Sequence, residues 1–74
     1  MFDFRFNYSE NDIYPVFDVD KVSFQSENGW EEVSGEDIMS AFIPLDTIIH
    51  LYNSDGKYIV SCENVRSLEI RKRE

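Results

Sequence analysis

Residues 49–70, IHLYNSDGKYIVSCENVRSLEI, place apolar and β-branched runs on either side of Asp55-Gly56. A similar stretch lies 27 positions earlier, VSFQSENGWEEVSGEDIMSAFI over residues 22–43, and the two align without a gap. Six of the 22 aligned positions are identical, among them Gly29 and Gly56. Such matches predict one supersecondary unit that occurs twice, as an internal repeat of 27 residues.

The turn residues of the two copies predict two β-hairpins. Asn28-Gly29 and Asp55-Gly56 accept the positive φ angles of a two-residue type I′ turn. A two-residue turn also fixes which residues lie opposite each other. The cross-strand pairs expected to face the core are Phe24 with Val33, and Leu51 with Val60.

The N-terminal third of the chain predicts further strands. Residues 2–8, FDFRFNY, alternate aromatic and polar side chains as a half-buried strand does. Residues 9–14 are mostly polar and run into Pro15, which lacks an amide hydrogen, so we expect a turn or loop there. Residues 16–24 are β-branched and aromatic, and the repeat favours two strands that break at Asp20-Lys21.

The segment after each hairpin is also interpreted as a strand. Residues 64–70 alternate apolar and polar side chains. Residues 36–43 are taken as the matching strand, with one alternative left open. Ser34 stands where a helix cap would, so these residues could instead form a short helix that ends before Pro44.

Together these signals predict a single all-β domain over residues 1–74. We expect six or seven short antiparallel strands in a meander that curls into a small barrel or roll, because closure removes exposed strand edges. In its rhythm of strand, tight turn and strand, the chain resembles the SH3-like and Sm-like small barrels. That resemblance concerns architecture and implies no activity or site. The basic residues 72–74 are expected to form a frayed tail.

The chain is strongly acidic, with a net charge of −8. Residues 1–56 hold 12 acidic and 2 basic residues, whereas residues 57–74 hold 3 acidic and 5 basic residues. Such a body repels phosphate backbones, which disfavours direct nucleic-acid binding. No apolar run approaches the roughly 20 residues that span a bilayer, and a single cysteine cannot form an internal disulfide. We therefore expect a cytoplasmic protein with no membrane contact.

The residue inventory predicts no catalytic, cofactor-binding or metal-binding site. The candidates for a nucleophile and its base are Cys62 and His50. The predicted register pairs His50 with Ser61, and Cys62 with Ile49, so the two side chains should leave opposite faces of the hairpin. The same separation argues against a metal site, because metal ligands must cluster. We expect a protein that is not an enzyme.

The differences between the two copies suggest partner-binding residues. Trp30 follows the first turn, where Lys57 stands in the second copy, and acidic residues surround it. The face opposite the predicted core pairs is polar in the first copy and apolar in the second. Either the strand of residues 2–8 or another chain should cover that apolar face. The candidate residues are Glu27, Trp30, Glu31, Glu32, Ile48, His50, Tyr52 and Ile59.

These features favour a non-enzymatic interaction module, monomeric or homodimeric, that binds another protein with a basic surface. A specific version is an inhibitor of the kind that phages carry, which mimics the phosphate charge of nucleic acid and blocks a basic groove. The alternative is a small-ligand or nucleotide binding protein. Its site would lie at the barrel mouth or at a subunit interface, with Trp30, Tyr52 or Tyr58 holding the ligand.

Overall fold

Seven β-strands and one short helix form the fold in a computed structural model, which describes residues 1–73. The strands are β1 (Phe2–Ser9), β2 (Asp12–Val19), β3 (Lys21–Ser26), β4 (Gly29–Ser34), β5 (Ile48–Asn53), β6 (Gly56–Ser61) and β7 (Ser67–Lys72). Helix α1 (Asp37–Ser40) lies between β4 and β5. The strands form two antiparallel sheets, in the orders β2-β1-β7 and β4-β3-β5-β6. The prediction of an all-β fold is confirmed.

One apolar core joins the two sheets. Phe2, Phe4 and Phe6 of β1 are almost fully buried, as their alternation with polar residues predicts. Full burial of a large apolar side chain contributes about 1.5–3 kcal/mol, so β1 is a major source of stability. The remaining buried core residues are Val16, Val19, Val22, Phe24, Ile38, Ile49, Leu51, Val60 and Cys62.

The two sheets do not close into a barrel within residues 1–73, so the barrel alternative of the predicted barrel or roll is wrong. Near its end, β2 carries an extra residue opposite β1, and Asp18 there has a φ of 57°. Such a bulge bends a strand and increases its twist. The chain then passes to the second sheet at Asp20, whose amide donates a hydrogen bond to the carbonyl of Tyr52. The bend directs the chain into a separate sheet instead of around a barrel.

Both predicted hairpins are present, but their turns are not type I′. Ser26 pairs with Gly29 and Asn53 pairs with Gly56, so the loop residues are Glu27-Asn28 and Ser54-Asp55. Gly29 and Gly56 have φ angles of 96° and 147°, whereas these four loop residues do not have positive φ. Glycine accepts this conformation without a steric penalty and therefore takes the position after the turn.

The register of both hairpins is offset by two residues from the prediction. The observed pairs are Phe24 with Glu31 and Leu51 with Tyr58, where Val33 and Val60 were expected. Side chains alternate between the two faces of a strand with a period of two. The offset therefore leaves each side chain on its predicted face.

The structure does not confirm the internal repeat over residues 22–43 and 49–70. The hairpins correspond, but residues 37–40 form α1, whereas the second copy ends in the strand β7. Gly35 has a φ of 59°, and the residue aligned with it, Cys62, is buried and has no positive φ. Only glycine readily takes this left-handed conformation, which turns the chain into α1. The strand predicted over residues 36–43 is therefore wrong, and the helical alternative describes residues 37–40.

The turn or loop predicted over residues 9–14 is shorter than expected, because the turn occupies only Glu10 and Asn11. β1 and β2 form a hairpin, in which β2 begins at Asp12 and includes Pro15. Because β2 lies at the edge of its sheet, the missing amide of Pro15 need not leave a neighbouring strand unpaired. The break between β2 and β3 falls at Asp20, as the repeat favours.

The C-terminal end is joined to the first strand. Lys72 is the last residue of β7, and the amide of Arg73 donates a hydrogen bond to the carbonyl of Met1 at 2.8 Å. The Arg73 guanidinium lies 3.4 Å from a carboxylate oxygen of Asp3 and 2.8 Å from one of Asp18. Two residues of the expected frayed tail are thus hydrogen-bonded, and residue 74 lies outside the described residues.

Candidate functional site

Most of the predicted partner-binding residues share one surface, the solvent-facing side of the four-stranded sheet. We call this surface the outer face. The strand registers bring the predicted residues Trp30, Glu32, Ile48, His50, Tyr52 and Ile59 together on it, beside Lys21 and Lys57. The other two predicted residues, Glu27 and Glu31, lie elsewhere.

Aromatic and charged side chains contact each other across the outer face. The Trp30 ring crosses above β3, and its centroid lies 5.2 Å from that of His50 at an interplanar angle of 55°. Lys21 Nζ lies 4.4 Å from the centroid of Tyr52 and 3.4 Å from a carboxylate oxygen of Glu32. Exposed cation–aromatic contacts of this kind contribute about 0.5–1 kcal/mol. The contacts of Lys21 link β3 to β5 and to β4 across the outer face.

The outer face is open to solvent. Trp30 is 57% exposed, Ile48 47% and Ile59 60%. The phenylalanines of β1 are buried in the core, on the other side of this sheet. The alternative in which the N-terminal strand covers the apolar face is therefore wrong. An exposed group of large apolar residues is typical of a surface that contacts another chain.

Glu27 and Glu31 line a cleft on the opposite side of the β3–β4 hairpin. The cleft has a volume of about 720 Å³ and lies between this hairpin and residues 41–46. Glu27, Glu31 and Asp46 supply carboxylates, and none of the described residues that line the cleft is basic. We call it the acidic cleft. Its apolar lining consists of Phe24, Val33, Ala41, Phe42 and Pro44.

Phe42 gives the acidic cleft an exposed aromatic ring, with 86% of the residue accessible to solvent. Helix α1 ends at Ser40, and the chain continues in extended conformation. Pro44 favours this conformation in the residue before it. Ile43 packs against the core while Phe42 faces the cleft. The sequence interpretation missed Phe42 because it assigned the segment to a core strand. The adjacent pair Phe42-Ile43 was the available signal, since neighbours in an extended chain point opposite ways.

Many carboxylates form no ion pair. Within residues 1–73, ion pairs join Lys21 to Glu32, Arg71 to Glu69, Lys72 to Glu36, and Arg73 to both Asp3 and Asp18. The described carboxylates outside these pairs are Glu10, Asp12, Asp20, Glu27, Glu31, Asp37, Asp46, Asp55 and Glu63. All the carboxylates of the acidic cleft belong to this set. A cation that entered the cleft would therefore not have to displace a lysine or arginine of the described chain.

His50 and Cys62 lie on opposite sides of the four-stranded sheet. His50 is on the outer face against Trp30, whereas Cys62 is fully buried in the core. Burial raises the pKa of the Cys62 thiol to about 11, so the thiol stays protonated at neutral pH. The described residues contain no group of three or more histidine, cysteine or acidic side chains placed to hold a metal ion. The lack of enzymatic activity remains a prediction.

The aromatic residues predicted for a small-ligand site do not converge. Trp30 and Tyr52 lie on the outer face, whereas Tyr58 packs against the core. The barrel mouth predicted as a site does not exist, because the sheets do not close within the described part of the chain. The alternative that places the ligand at a subunit interface remains a prediction.

Comparison of the chain with protein-family models, with curated proteins and with solved structures gave no match. Within residues 1–73, no helix has the length and apolar character needed to cross a membrane. Function must therefore be inferred from the surfaces of the molecule itself.

Proposed function

We propose that this chain is a non-catalytic binding module that docks onto a protein with a basic surface through the acidic cleft. The composition of the cleft carries this proposal. Glu27, Glu31 and Asp46 form no ion pair among the described residues, and they line the same cleft as the exposed ring of Phe42. Carboxylates without a counter-ion next to an exposed aromatic ring suit a partner segment that combines basic and apolar side chains.

The physical contributions of these groups differ. The carboxylates attract lysine or arginine side chains and exclude acidic ones, so they provide specificity and rapid encounter. The Phe42 ring offers apolar area and a face on which a guanidinium group can stack. The net charge of −8 extends the attraction beyond the cleft, by an amount that salt reduces.

A specific form of this function is inhibition by charge mimicry. A partner groove that binds a phosphate backbone presents regularly placed lysine and arginine residues. Carboxylates without a counter-ion can occupy such a groove in place of phosphates. A complex of this kind would exclude nucleic acid from the partner without this chain binding nucleic acid itself.

The test uses a fluorescently labelled peptide of alternating arginine and leucine, with binding followed by anisotropy. The triple variant Glu27→Gln, Glu31→Gln and Asp46→Asn should weaken binding about tenfold or more. Raising the salt concentration from about 50 mM to about 500 mM should also weaken binding of the unmodified protein, because salt screens the charges.

A matched control separates the cleft from net charge. The variant Glu10→Gln, Asp55→Asn and Glu63→Gln removes the same three charges at positions outside the cleft. It should retain most of the affinity. Equal losses in the two triple variants would show that net charge alone attracts the peptide, and binding that is insensitive to salt would refute electrostatic docking.

A second candidate function follows from the size of the cleft. About 720 Å³ falls within the range of roughly 300–1,000 Å³ that is typical of small-molecule sites. The lining would select a cationic molecule with an apolar part. A thermal-shift screen with amphiphilic amines tests this function, since a ligand raises the melting temperature by mass action. Stabilisation by such amines without peptide binding would favour this second function.

A further inference from the structure

We propose that two copies of this chain associate face to face through the outer face. The inference goes beyond the proposed function, because the acidic cleft lies on the other side of the β3–β4 hairpin. The cleft therefore stays accessible when the outer face is covered.

Charge favours the outer face for contact between two copies. Each copy has a net charge of −8, so two copies repel each other. Among the described residues, the outer face carries Lys21 and Lys57 and one carboxylate, that of Glu32, so this face lacks the negative charge that dominates the rest of the chain. Its exposed large apolar residues are Trp30, Ile48 and Ile59, of which Trp30 and Ile59 lie on the two edge strands β4 and β6.

The corresponding side of the three-stranded sheet is a poorer candidate. Its central strand, β1, carries Asp3 and Arg5 on that side, and Glu69 lies opposite Arg5 in β7. Burial of these charges between two copies would cost several kcal/mol of desolvation. The two central strands of the outer face instead carry Ser23 and His50 at their middle, and neither of these strands places a carboxylate on that face.

The outer face is also large enough for a weak dimer. Four strands of six residues, spaced about 4.8 Å apart with a rise of about 3.3 Å per residue, give a footprint of about 19 by 20 Å. The accessible area exceeds this footprint because side chains project from the sheet. Two copies would therefore bury about 1,000–1,200 Å² in total, at the lower limit of specific interfaces. We therefore expect a dissociation constant in the micromolar range.

The strand order makes this contact self-complementary. A two-fold axis that runs along the strands between β3 and β5 places β4 of one copy over β6 of the other. At equal heights along the strands, Glu32 then lies over Ile59 of the second copy and Trp30 lies over Ser61. Lys57 of the second copy is the next outer-face residue from Ile59, about 7 Å along the strand from Glu32. Within one chain, Glu32 and Lys57 are three strand spacings apart, about 14 Å.

Sedimentation equilibrium tests the association over concentrations from about 1 µM to about 1 mM, which bracket a micromolar dissociation constant. We expect a monomer–dimer equilibrium that shifts toward the dimer as salt screens the net repulsion. This salt dependence is opposite in sign to that expected for peptide binding, so either proposal can fail without the other. A monomer at every concentration and salt level would overturn the inference.

Two matched variants locate the interface. Ile59→Glu places a carboxylate against Glu32 of the second copy and should abolish the dimer while leaving peptide binding almost unchanged. Phe42→Lys makes the same kind of change in the acidic cleft and should weaken peptide binding while the dimer persists. Circular dichroism confirms that each variant is folded. A dimer that persists in the Ile59→Glu variant would exclude the outer face.

Zero-length cross-linking with a carbodiimide gives an independent readout that needs no variant. A cross-linked peptide that joins Glu32 to Lys57 in the dimer band supports the proposed arrangement, because one chain cannot span that distance. A cross-linked dimer without the Glu32–Lys57 peptide would overturn the proposed packing of β4 over β6.

Discussion

Replacing Phe42 by alanine should leave the fold almost unchanged and weaken partner binding. Phe42 is 86% exposed, so only about 30 Å² of a phenylalanine surface of about 200 Å² is buried in the folded chain. At about 25 cal/mol per Å², the free energy of unfolding should fall by less than about 1 kcal/mol. Binding of the arginine–leucine peptide should weaken about tenfold, because the ring is the exposed apolar contact in the cleft.

Phe6→Leu provides the contrast, because Phe6 is 0% exposed in the core. Even this partial truncation should cost roughly 1–2 kcal/mol without changing peptide affinity in the folded protein. Urea unfolding followed by far-UV circular dichroism measures both variants. Fluorescence is less suitable, because Trp30 is already 57% exposed in the folded state. A loss above about 1.5 kcal/mol for Phe42→Ala would show that the ring packs in the core, and the docking argument would fail.

The remaining predictions concern the backbone and two titrating groups. Gly35→Ala should lower the free energy of unfolding by about 1 kcal/mol, because φ is 59° there although no atom lies within 4 Å of the added Cβ. Gly35→Asn should lower this free energy by a smaller amount, as measured by urea unfolding. Cys62 should not react with a thiol reagent at pH 8 while the protein is folded, and stability should fall as pH rises from about 9 toward 11, since burial raises the thiol pKa from 9.0 to about 11. Cys62→Ala should reduce this slope without abolishing it, because burial also raises the pKa of Tyr8 from 10.0. Lys72 lowers the pKa of Glu36 below its usual 4.5 through a hydrogen bond. Their pairing therefore stabilises the fold above pH 4.5, and this stabilisation is lost as the pH falls through the lowered pKa. In an acid titration at low salt, Glu36→Gln should remove this part of the pH dependence of stability.

The strands and their faces could be predicted from local signals. Alternation identified β1 as the strand that buries Phe4, and the turn glycines Gly29 and Gly56 located both hairpins. Side chains alternate between the two faces of a strand with a period of two. The assignment of His50 and Cys62 to opposite faces is therefore correct although the predicted register is offset by two residues. The composition of the outer face followed from the same alternation.

The remaining features depend on contacts that a sequence pattern does not contain. Closure into a barrel fails at the Asp18 bulge. A non-glycine residue at positive φ is uncommon, so no local pattern predicted this bend. The two copies of the repeat differ where Gly35 aligns with Cys62, because the backbone has positive φ at Gly35 and not at Cys62. A glycine in a sequence does not by itself show that the backbone uses this conformation. The acidic cleft forms where Phe42 and Asp46 approach the β3–β4 hairpin, a juxtaposition set by the tertiary packing of α1.

The most direct test of cleft docking is a titration of the nitrogen-15-labelled protein with the arginine–leucine peptide, followed by two-dimensional nitrogen–proton correlation NMR. At 8.7 kDa, the chain is small enough for every amide to be followed. We predict that the largest shifts occur at Glu27, Glu31, Phe42 and Asp46, with little change at the outer face. Shifts of equal size at Glu10, Asp55 and Glu63, or shifts centred on Trp30 and Ile59, would contradict docking at the acidic cleft.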